Sequence, residues 1–257
     1  MTGPEQPKPT GMPLVDGLAS LARPTLQDFV DAASEYVREC VEIGTYQPPD
    51  GAPVTAGSRK KAGQIRLSAA LGRVLAADLN SALPRIHAIT GETRVAGALR
   101  IAQMDVVEMT ELDGLKLAIE IKPINLAVGR AIWNRYGDIR VGAVSTHLKF
   151  PFAVVGGILT IPTWEWSGGT KKSTRHLVMR CCELLRRAGQ RRREDDAPHR
   201  LEGVAVVLFD PDTNQVVKDV PAAGSGLRWE ECIDALAEAY DERFAPDEAT
   251  DTEQLPD

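Results

Sequence analysis

The sequence predicts an α/β or α+β protein in which helices flank a central mixed β-sheet. Apolar residues follow helical spacing in some segments and strand spacing in others, and the two kinds of segment interleave along the chain. The 257 residues are 43% hydrophobic, which is enough to bury a core without disulfides or structural metals. We predict a single domain over residues 24–244.

The first half of the chain predicts helices on either side of a hairpin. Residues 24–44 and 66–83 carry apolar side chains at helical spacing. Residues 125–137 predict another helix, with Asn125 as its N-cap and Gly137 just past its end.

The second half continues the alternation. Residues 150–162 predict a buried strand, in which Gly156 and Gly157 indicate a bulge or a close backbone approach. A helix over 171–189, a hairpin over 201–220 and an amphipathic helix over 228–244 are predicted to follow.

Both ends of the chain are predicted to be disordered. Residues 1–23 are rich in Pro and Gly, and residues 245–257 contain five acids and no base. The acidic tail holds most of the net charge of −6, so the folded part is close to neutral. This balance argues against a general nucleic-acid coat protein.

Targeting and cysteine patterns exclude other classes. No run approaches 18 apolar residues and the N-terminus lacks a signal-peptide pattern, so we expect a soluble, cytoplasmic protein. The cysteines show neither CxxC nor Cys/His spacing, which predicts buried thiols instead of a zinc site or a disulfide framework. They are Cys40, Cys181, Cys182 and Cys232.

A hairpin is predicted within residues 104–125. Asp113-Gly114 is a strong two-residue turn signal, and a turn there pairs Leu112 with Leu115. Aspartate is favoured in such a turn for backbone reasons, so Asp113 is not our candidate for a ligand.

Counting outward from that turn brings three charged residues together. It pairs Val107 with Glu120 and Asp105 with Lys122, so that Asp105, Glu120 and Lys122 share one face of the hairpin. The opposite face is mostly apolar and is predicted to lie on the core. The alternative for the Glu-x-Lys pair alone is a solvated ion pair on an edge strand.

Two carboxylates beside an ammonium suit metal-assisted phosphodiester hydrolysis. Mg²⁺ binds through one or two carboxylates and keeps several waters, and the backbone carbonyl of Ile121 would complete the protein ligands beside Asp105 and Glu120. Lys122 would hold the attacking water or neutralise the developing charge.

The pattern of Asp105, fourteen intervening residues and then Glu120-Ile121-Lys122 resembles the D…(D/E)xK signature of the PD-(D/E)xK nuclease superfamily. The similarity covers residues 92–162 and departs from the family at Met104, where proline usually precedes the aspartate. It implies a restriction-endonuclease-like core, one or two Mg²⁺ ions held by Asp105 and Glu120, and Lys122 as the catalytic lysine. Glu92 resembles an accessory acid of some members, although a role at a helix start is an equal alternative.

The resemblance is greatest to type II restriction endonucleases. It implies a Mg²⁺-dependent enzyme that cleaves double-stranded DNA, acts as a homodimer and has a DNA methyltransferase as its genetic partner. The alternatives are a non-catalytic DNA-binding subunit with the same fold, and a DNA repair nuclease or junction resolvase.

A basic stretch offers candidate DNA contacts. From residue 171 to 193 the chain has nine basic residues and one acid. Such a stretch either neutralises phosphates or forms a solvated helix face. For Trp164 and Trp166 we favour packing against the sheet over base contact. The predicted DNA-binding residues are Lys171, Lys172, Arg175, Arg186, Arg187, Arg191, Arg192 and Arg193.

Overall fold

A computed structural model describes residues 13–18, 20–45, 56–112 and 114–245. The helices are α1 (Pro13–Leu18), α2 (Leu26–Thr45), α3 (Ala56–Ala82), α4 (Val128–His147), α5 (Arg175–Ala188) and α6 (Trp229–Phe244). The strands are β1 (Ile89–Ala96), β2 (Ile101–Thr110), β3 (Gly114–Pro123), β4 (Val154–Pro162), β5 (Trp164–Ser167), β6 (Thr170–Ser173), β7 (Gly203–Asp210) and β8 (Gln215–Val216).

Six strands form one mixed sheet in the order β1-β2-β3-β4-β7-β8. β1, β2 and β3 are antiparallel neighbours, β3, β4 and β7 are parallel, and β8 is antiparallel to β7. β5 and β6 form a separate two-stranded hairpin after β4. The predicted α/β fold with a central mixed sheet is confirmed.

Helices cover both faces of this sheet. Side chains from α1, α2, α3 and α6 form the core on one face, and side chains from α4 and α5 form the core on the other. Every residue of β4 is buried, as expected for a parallel strand covered on both sides. β3 and β4 are therefore central strands, and β3 carries the predicted Glu-x-Lys pair.

The amino-terminal boundary differs from the sequence prediction. The composition of residues 1–23 predicts a disordered tail, but Pro13–Leu18 form α1, and Val15 and Leu18 of this helix are buried against the first core. Apolar burial outweighs the local abundance of Gly and Pro, which is what the composition argument weighed. Residues 1–12 and 246–257 lie outside the described part of the chain.

The limits of α4 also differ. Asn125 is not its N-cap, because the helix begins at Val128 after Ala127, whose φ of 52° is left-handed. The helix also continues through Gly137 to His147. An interior glycine costs only about 1 kcal/mol relative to alanine, which packing on the sheet offsets.

Two further elements refine the prediction for the second half. The predicted helix over 171–189 begins only at Arg175, because residues 170–173 form β6. Gly157 lies in a regular ladder without a bulge, and a Cβ added there would lie 2.5 Å from Ile139 Cγ2. The predicted close backbone approach is therefore confirmed.

The register of the β2–β3 hairpin differs from the prediction by two residues from Val106 to Glu108 and by three nearer the turn, because the ladder is irregular between Glu108 and Met109. Val107 pairs with Ala118, not with Glu120, and the ladder ends where Thr110 pairs with Gly114. The connection is longer than a two-residue turn because Gly114, at φ 70°, already belongs to β3. Glu120 and Lys122 share a face, because residues two apart on one strand project to the same side. Asp105 lies outside this ladder, and its neighbours Met104 and Val106 pack in opposite cores, so the predicted common face of all three residues is not confirmed. Asp113 lies outside the described residues.

The cysteines do not offer reactive thiols. Cys40, Cys181 and Cys232 are buried, Cys182 is half-buried, and none is in a disulfide. Burial raises the pKa of Cys181 to about 12 and that of Cys182 to about 11. These groups therefore stay protonated near neutral pH and are poor nucleophiles or metal ligands.

Within the described parts of the chain, no helix combines the length and the apolar character that crossing a bilayer requires.

Candidate functional site

Asp105 lies where β2 and β3 separate. Backbone pairing between the two strands begins at Val106 and Ile119 and does not extend to Asp105. There a side-chain oxygen takes the place of a backbone carbonyl as hydrogen-bond acceptor, because Asp105 Oδ2 accepts a bond of 2.7 Å from the N–H of Ile121. The carboxylate thus sits in the gap that the diverging strands leave open.

The carbonyl of Ile121 faces the same gap. The N–H and C=O of one strand residue point towards the same neighbouring strand. Because the Ile121 N–H is directed at Asp105, the Ile121 carbonyl is also directed to that side. One side-chain carboxylate and one backbone carbonyl therefore border the gap, as the predicted ligand set requires.

Glu120 and Lys122 form a largely buried ion pair on β3. Lys122 Nζ lies 2.6 Å from Glu120 Oε1, and the side chains of Lys122 and Glu120 are only 20% and 8% exposed. This burial on a central strand contradicts the alternative of a solvated edge pair. A charged pair at such a position is costly unless other groups complete its hydrogen bonds.

The second carboxylate oxygen of Glu120 has no hydrogen-bond donor among the described residues. Glu120 Oε2 is buried and has no hydrogen-bond partner among the described residues. A buried carboxylate oxygen without a donor is unfavourable, and a bound cation would satisfy it. The donor set of Glu120, Asp105 and the Ile121 carbonyl is one that Mg²⁺ accepts.

Gly142 of α4 makes the space for this carboxylate. A Cβ added to Gly142 would lie 2.8 Å from Glu120 Oε2. Such a contact is too short, and the flexible end of Glu120 is the part that would move. Gly142 therefore acts as a positioning residue for Glu120.

If Glu120 is a metal ligand of a nuclease, as the sequence predicts, Gly142→Ala is expected to lower the cleavage rate without lowering stability much. The methyl group would displace the Glu120 carboxylate, and a misplacement of about 1 Å can cost about 100-fold in rate. The gain in helix propensity, about 1 kcal/mol, opposes the cost of crowding. DNA cleavage rates and thermal midpoints measure the two effects.

Gly137→Ala is the matched control, because this glycine lies in the same helix and an added Cβ would meet nothing within 4 Å. It should cut at the wild-type rate. Equal cleavage by both variants would show that Gly142 does not position Glu120.

A cleft of about 460 Å³ opens beside these groups, between α3, β1, the middle of β2 and the end of β3. Asp105, Ile121 and Lys122 line it, Arg73 of α3 adds positive charge to its wall, and Arg135 of α4 lies there paired with Asp138. Glu120 is not part of the wall, and it reaches the cleft through its contact with Lys122. No pattern in the sequence indicated that α3 would contribute to this cleft.

The predicted accessory acid lies on a neighbouring strand. Glu92 belongs to β1, so its alternative role at a helix start is wrong, and the adjacent Gly91 lines the cleft. The side chain of Glu92 is outside the described part of the structure, so its role as an acid remains a prediction.

Among the described residues no group of three or more His, Cys, Asp or Glu side chains could hold a metal ion. The predicted Mg²⁺ site contains only two carboxylates, Asp105 and Glu120, with a backbone carbonyl. Mg²⁺ commonly takes its remaining ligands from water and substrate phosphate.

The predicted DNA-binding residues do not form one uniform surface. Lys171 pairs with Asp212 at 2.6 Å, and Arg175 pairs with Asp219. Lys172, Arg186, Arg187 and Arg192 are exposed, and the exposed Arg193 lies 3.2 Å from Asp195.

Arg191 must be removed from the predicted DNA contacts. Its side chain is buried, lies 2.7 Å from Glu202 Oε1 and also donates to the Pro151 and Glu194 carbonyls. Burial alone would raise the pKa of the Glu202 carboxyl. The nearby His147, Arg243 and Arg191 lower this pKa by more than burial raises it, so it lies below its usual range. A run of arginines in a sequence does not distinguish a buried member from exposed ones.

Arg191→Ala is expected to destabilise the protein by about 3–5 kcal/mol, because it leaves Glu202 buried with fewer partners. Arg192→Ala, one position along and exposed, should change stability by at most about 0.5 kcal/mol. Urea unfolding of the two variants measures the difference. Similar stabilities would contradict a structural role for Arg191.

Comparison of the chain with protein-family models, with curated proteins and with solved structures finds no match.

Proposed function

We propose that the protein is a Mg²⁺-dependent DNA endonuclease that hydrolyses phosphodiester bonds in double-stranded DNA, of the type II restriction class. The observation that carries the proposal is that the Asp105 carboxylate, in place of a strand carbonyl, accepts a hydrogen bond from the Ile121 N–H. Ile121 lies between the two members of the buried Glu120–Lys122 pair. At Asp105 the two strands lose their regular backbone pairing. A metal site at this position would explain the loss.

Each side chain of the site has a distinct role in this proposal. Asp105, Glu120 and the Ile121 carbonyl would hold one or two Mg²⁺ ions, and Glu120 Oε2 is the buried atom without a partner among the described residues. When bound, Mg²⁺ would supply a Lewis acid that offsets charge on the phosphate. Lys122 is held at the cleft wall by Glu120, where its ammonium can orient water or stabilise the oxygen that becomes negative.

The charge of the cleft suits a phosphate. Lys122 and Arg73 bring cationic side chains to a wall that also holds Asp105, and Arg135 lies at the same wall paired with Asp138 at 3.1 Å. Guanidinium groups favour phosphate oxygens because they donate several hydrogen bonds in one plane. A homodimer would present two such clefts to a symmetric duplex, and a DNA methyltransferase would be its genetic partner.

Neutral substitutions of Arg186, Arg187 and Arg192 test the contribution of the exposed basic residues. Each phosphate contact contributes about 0.9 to the slope of log affinity against log salt, so losing three contacts should reduce the slope by about 2.7. Arg175→Gln is the control, because Asp219 already pairs with this guanidinium. An unchanged slope in the triple variant would return these residues to the solvated helix face.

The proposed activity is tested with supercoiled plasmid in Mg²⁺ and in EDTA. We expect linear DNA with defined ends in Mg²⁺ only. Binding without cleavage would favour the alternative of a non-catalytic subunit. Cleavage of branched DNA but not of linear duplex would favour the repair nuclease or junction resolvase. If the protein neither binds nor cleaves DNA, the proposal is contradicted.

A further inference from the structure

A second cavity lies beside the segment that follows β3. It measures about 260 Å³ and is bordered by α2, by the start of α3, by residues 125–127 and by β5. Its wall includes the apolar Val37 and Val41 and two tryptophans, Trp164 and Trp166. This mixture of flat aromatic and apolar surface suits a planar ring.

Asn125 brings an unused hydrogen-bond acceptor to this wall. The Pro123 carbonyl can only accept, so Gln64 must bind it through Nε2, at 3.0 Å. Gln64 Oε1 is therefore an acceptor, and Asn125 must approach it with Nδ2, at 3.2 Å. This chain of bonds fixes the orientation of the Asn125 amide and leaves its Oδ1 buried without a partner among the described residues.

Trp164 brings an unused donor. The residue is only 7% exposed, and its Nε1 has no hydrogen-bond partner in the described structure. An unpaired buried donor and an unpaired buried acceptor on one cavity wall are each unfavourable without a ligand. The edge of a nucleobase carries donors and acceptors side by side and would satisfy both.

Trp166 supplies a stacking surface at the mouth of the cavity. It is 42% exposed although its neighbour on the same face of β5, Trp164, is buried. The half-buried Lys60 and Glu165 also border the cavity, one cationic and one anionic, so they add no net charge to its wall. Bases stack on exposed aromatic rings without regard to sequence.

The second cavity and the candidate cleft share one short segment. Pro123 lines the cleft, Asn125 lines the second cavity, and Gln64 binds both residues. Two residues of extended chain span roughly 7 Å. A nucleotide whose phosphate lies in the cleft therefore has its base close to the second cavity.

We propose that this second cavity binds a nucleobase, turned out of the DNA stack beside the phosphate that is cleaved. This inference rests on the proposed endonuclease function for the source of the base, while a free nucleotide would offer the same chemistry. Asn125 Oδ1 accepts from the base, Trp164 Nε1 donates to it and Trp166 stacks on it. Extruding a base for recognition costs a few kcal/mol, which such contacts offset.

The first arm of the test uses the four deoxynucleoside 5′-monophosphates, titrated into the full chain by calorimetry. The second arm uses duplexes that span the mapped cleavage site and carry 2-aminopurine next to it, in Ca²⁺. Fluorescence of 2-aminopurine rises when the base leaves the stack. Binding of monophosphates alone would identify a free nucleotide as the ligand, and a fluorescence rise identifies a base of DNA.

Trp166→Ala and Asn125→Leu are expected to weaken the observed binding by about 10- to 100-fold, the range expected for losing one stacked base. Trp133→Ala is the matched control, because Trp133 lies on α4 and does not line this cavity. Lys122→Ala should lose cleavage, keep its Ca²⁺-dependent DNA binding and keep the fluorescence rise, which separates the cavity from the proposed catalytic step.

The two proposals fail differently. If the wild type never cleaves DNA but binds monophosphates in a Trp166-dependent way, the nucleobase cavity stands and the endonuclease proposal does not. If the wild type cleaves DNA, and both cavity variants behave as the Trp133 control does, the cavity proposal is overturned. Absence of both monophosphate binding and a fluorescence rise overturns it as well.

Discussion

Glu120→Gln and Asp105→Asn are each expected to reduce Mg²⁺-dependent cleavage of duplex DNA by about 1000-fold or more. The metal stabilises the transition state by several kcal/mol, and each 1.36 kcal/mol is a factor of about ten in rate. Both variants should fold, since a glutamine amide oxygen can still bind Lys122 and an asparagine amide oxygen can still accept from the Ile121 N–H. Cleavage rates and circular dichroism on the same samples measure this.

Glu108→Gln is the matched control for the glutamate. Glu108 is also a buried glutamate of the β2–β3 hairpin, but it binds the Tyr240 hydroxyl at 2.7 Å and the His87 N–H at 2.9 Å, away from the cleft. Its loss should lower stability by about 1 kcal/mol and leave cleavage unchanged. Wild-type cleavage by the Glu120 or Asp105 variant would reject the site assignment.

Lys122→Ala is expected to lose about 100-fold or more in cleavage while keeping Ca²⁺-dependent DNA binding. An ammonium has no lone pair and is not a metal ligand, so the substitution leaves the ligand set intact. The loss corresponds to removing one preorganised donor from the transition state. Cleavage rate in Mg²⁺ and DNA affinity in Ca²⁺ measure the two properties separately.

The stability of the same variant distinguishes catalysis from structure. Without Lys122 the buried Glu120 carboxylate is uncompensated, so the thermal midpoint in EDTA should fall. Ca²⁺ should restore it, because an ion that binds only the folded state stabilises that state. Lys116→Ala on the same strand, whose ammonium lies over Phe244, leaves the Glu120–Lys122 pair intact, so Ca²⁺ should raise its midpoint by the same amount as that of the wild type. A Lys122 variant that cuts normally, or that Ca²⁺ does not restore, contradicts the proposed role.

Much of the fold follows from periodicity. The buried strand β4, the β7–β8 hairpin and the closing helix α6 were all predictable, because their apolar patterns are long and uninterrupted. Local signals were misleading where packing outweighs them, as in the continuation of α4 through Gly137 and the burial of α1. The turn signal places Gly114 inside a turn, but its left-handed φ is used at the start of β3.

The candidate site was predictable only in part. That Glu120 and Lys122 share a face follows from residue parity within one strand, and their ion pair confirms it. The face of Asp105 does not follow from parity, because Met104 and Val106, on either side of it, pack in opposite cores. The contact between Asp105 and the Ile121 N–H depends on where two strands separate, which alternation does not encode. Gly142 and the α3 side chains reach the site through long-range packing, so a single sequence carries no signal for them.

The central claim is that Asp105 and Glu120 hold a divalent metal ion at the gap between β2 and β3. Its most direct test is anomalous diffraction from crystals grown with Mn²⁺, which substitutes for Mg²⁺ at oxygen ligands. We predict an anomalous peak between these two carboxylates and beside the Ile121 carbonyl, and its loss in Glu120→Gln crystals. A protein without a peak there at saturating Mn²⁺, or with an equal peak in the variant, would contradict the account.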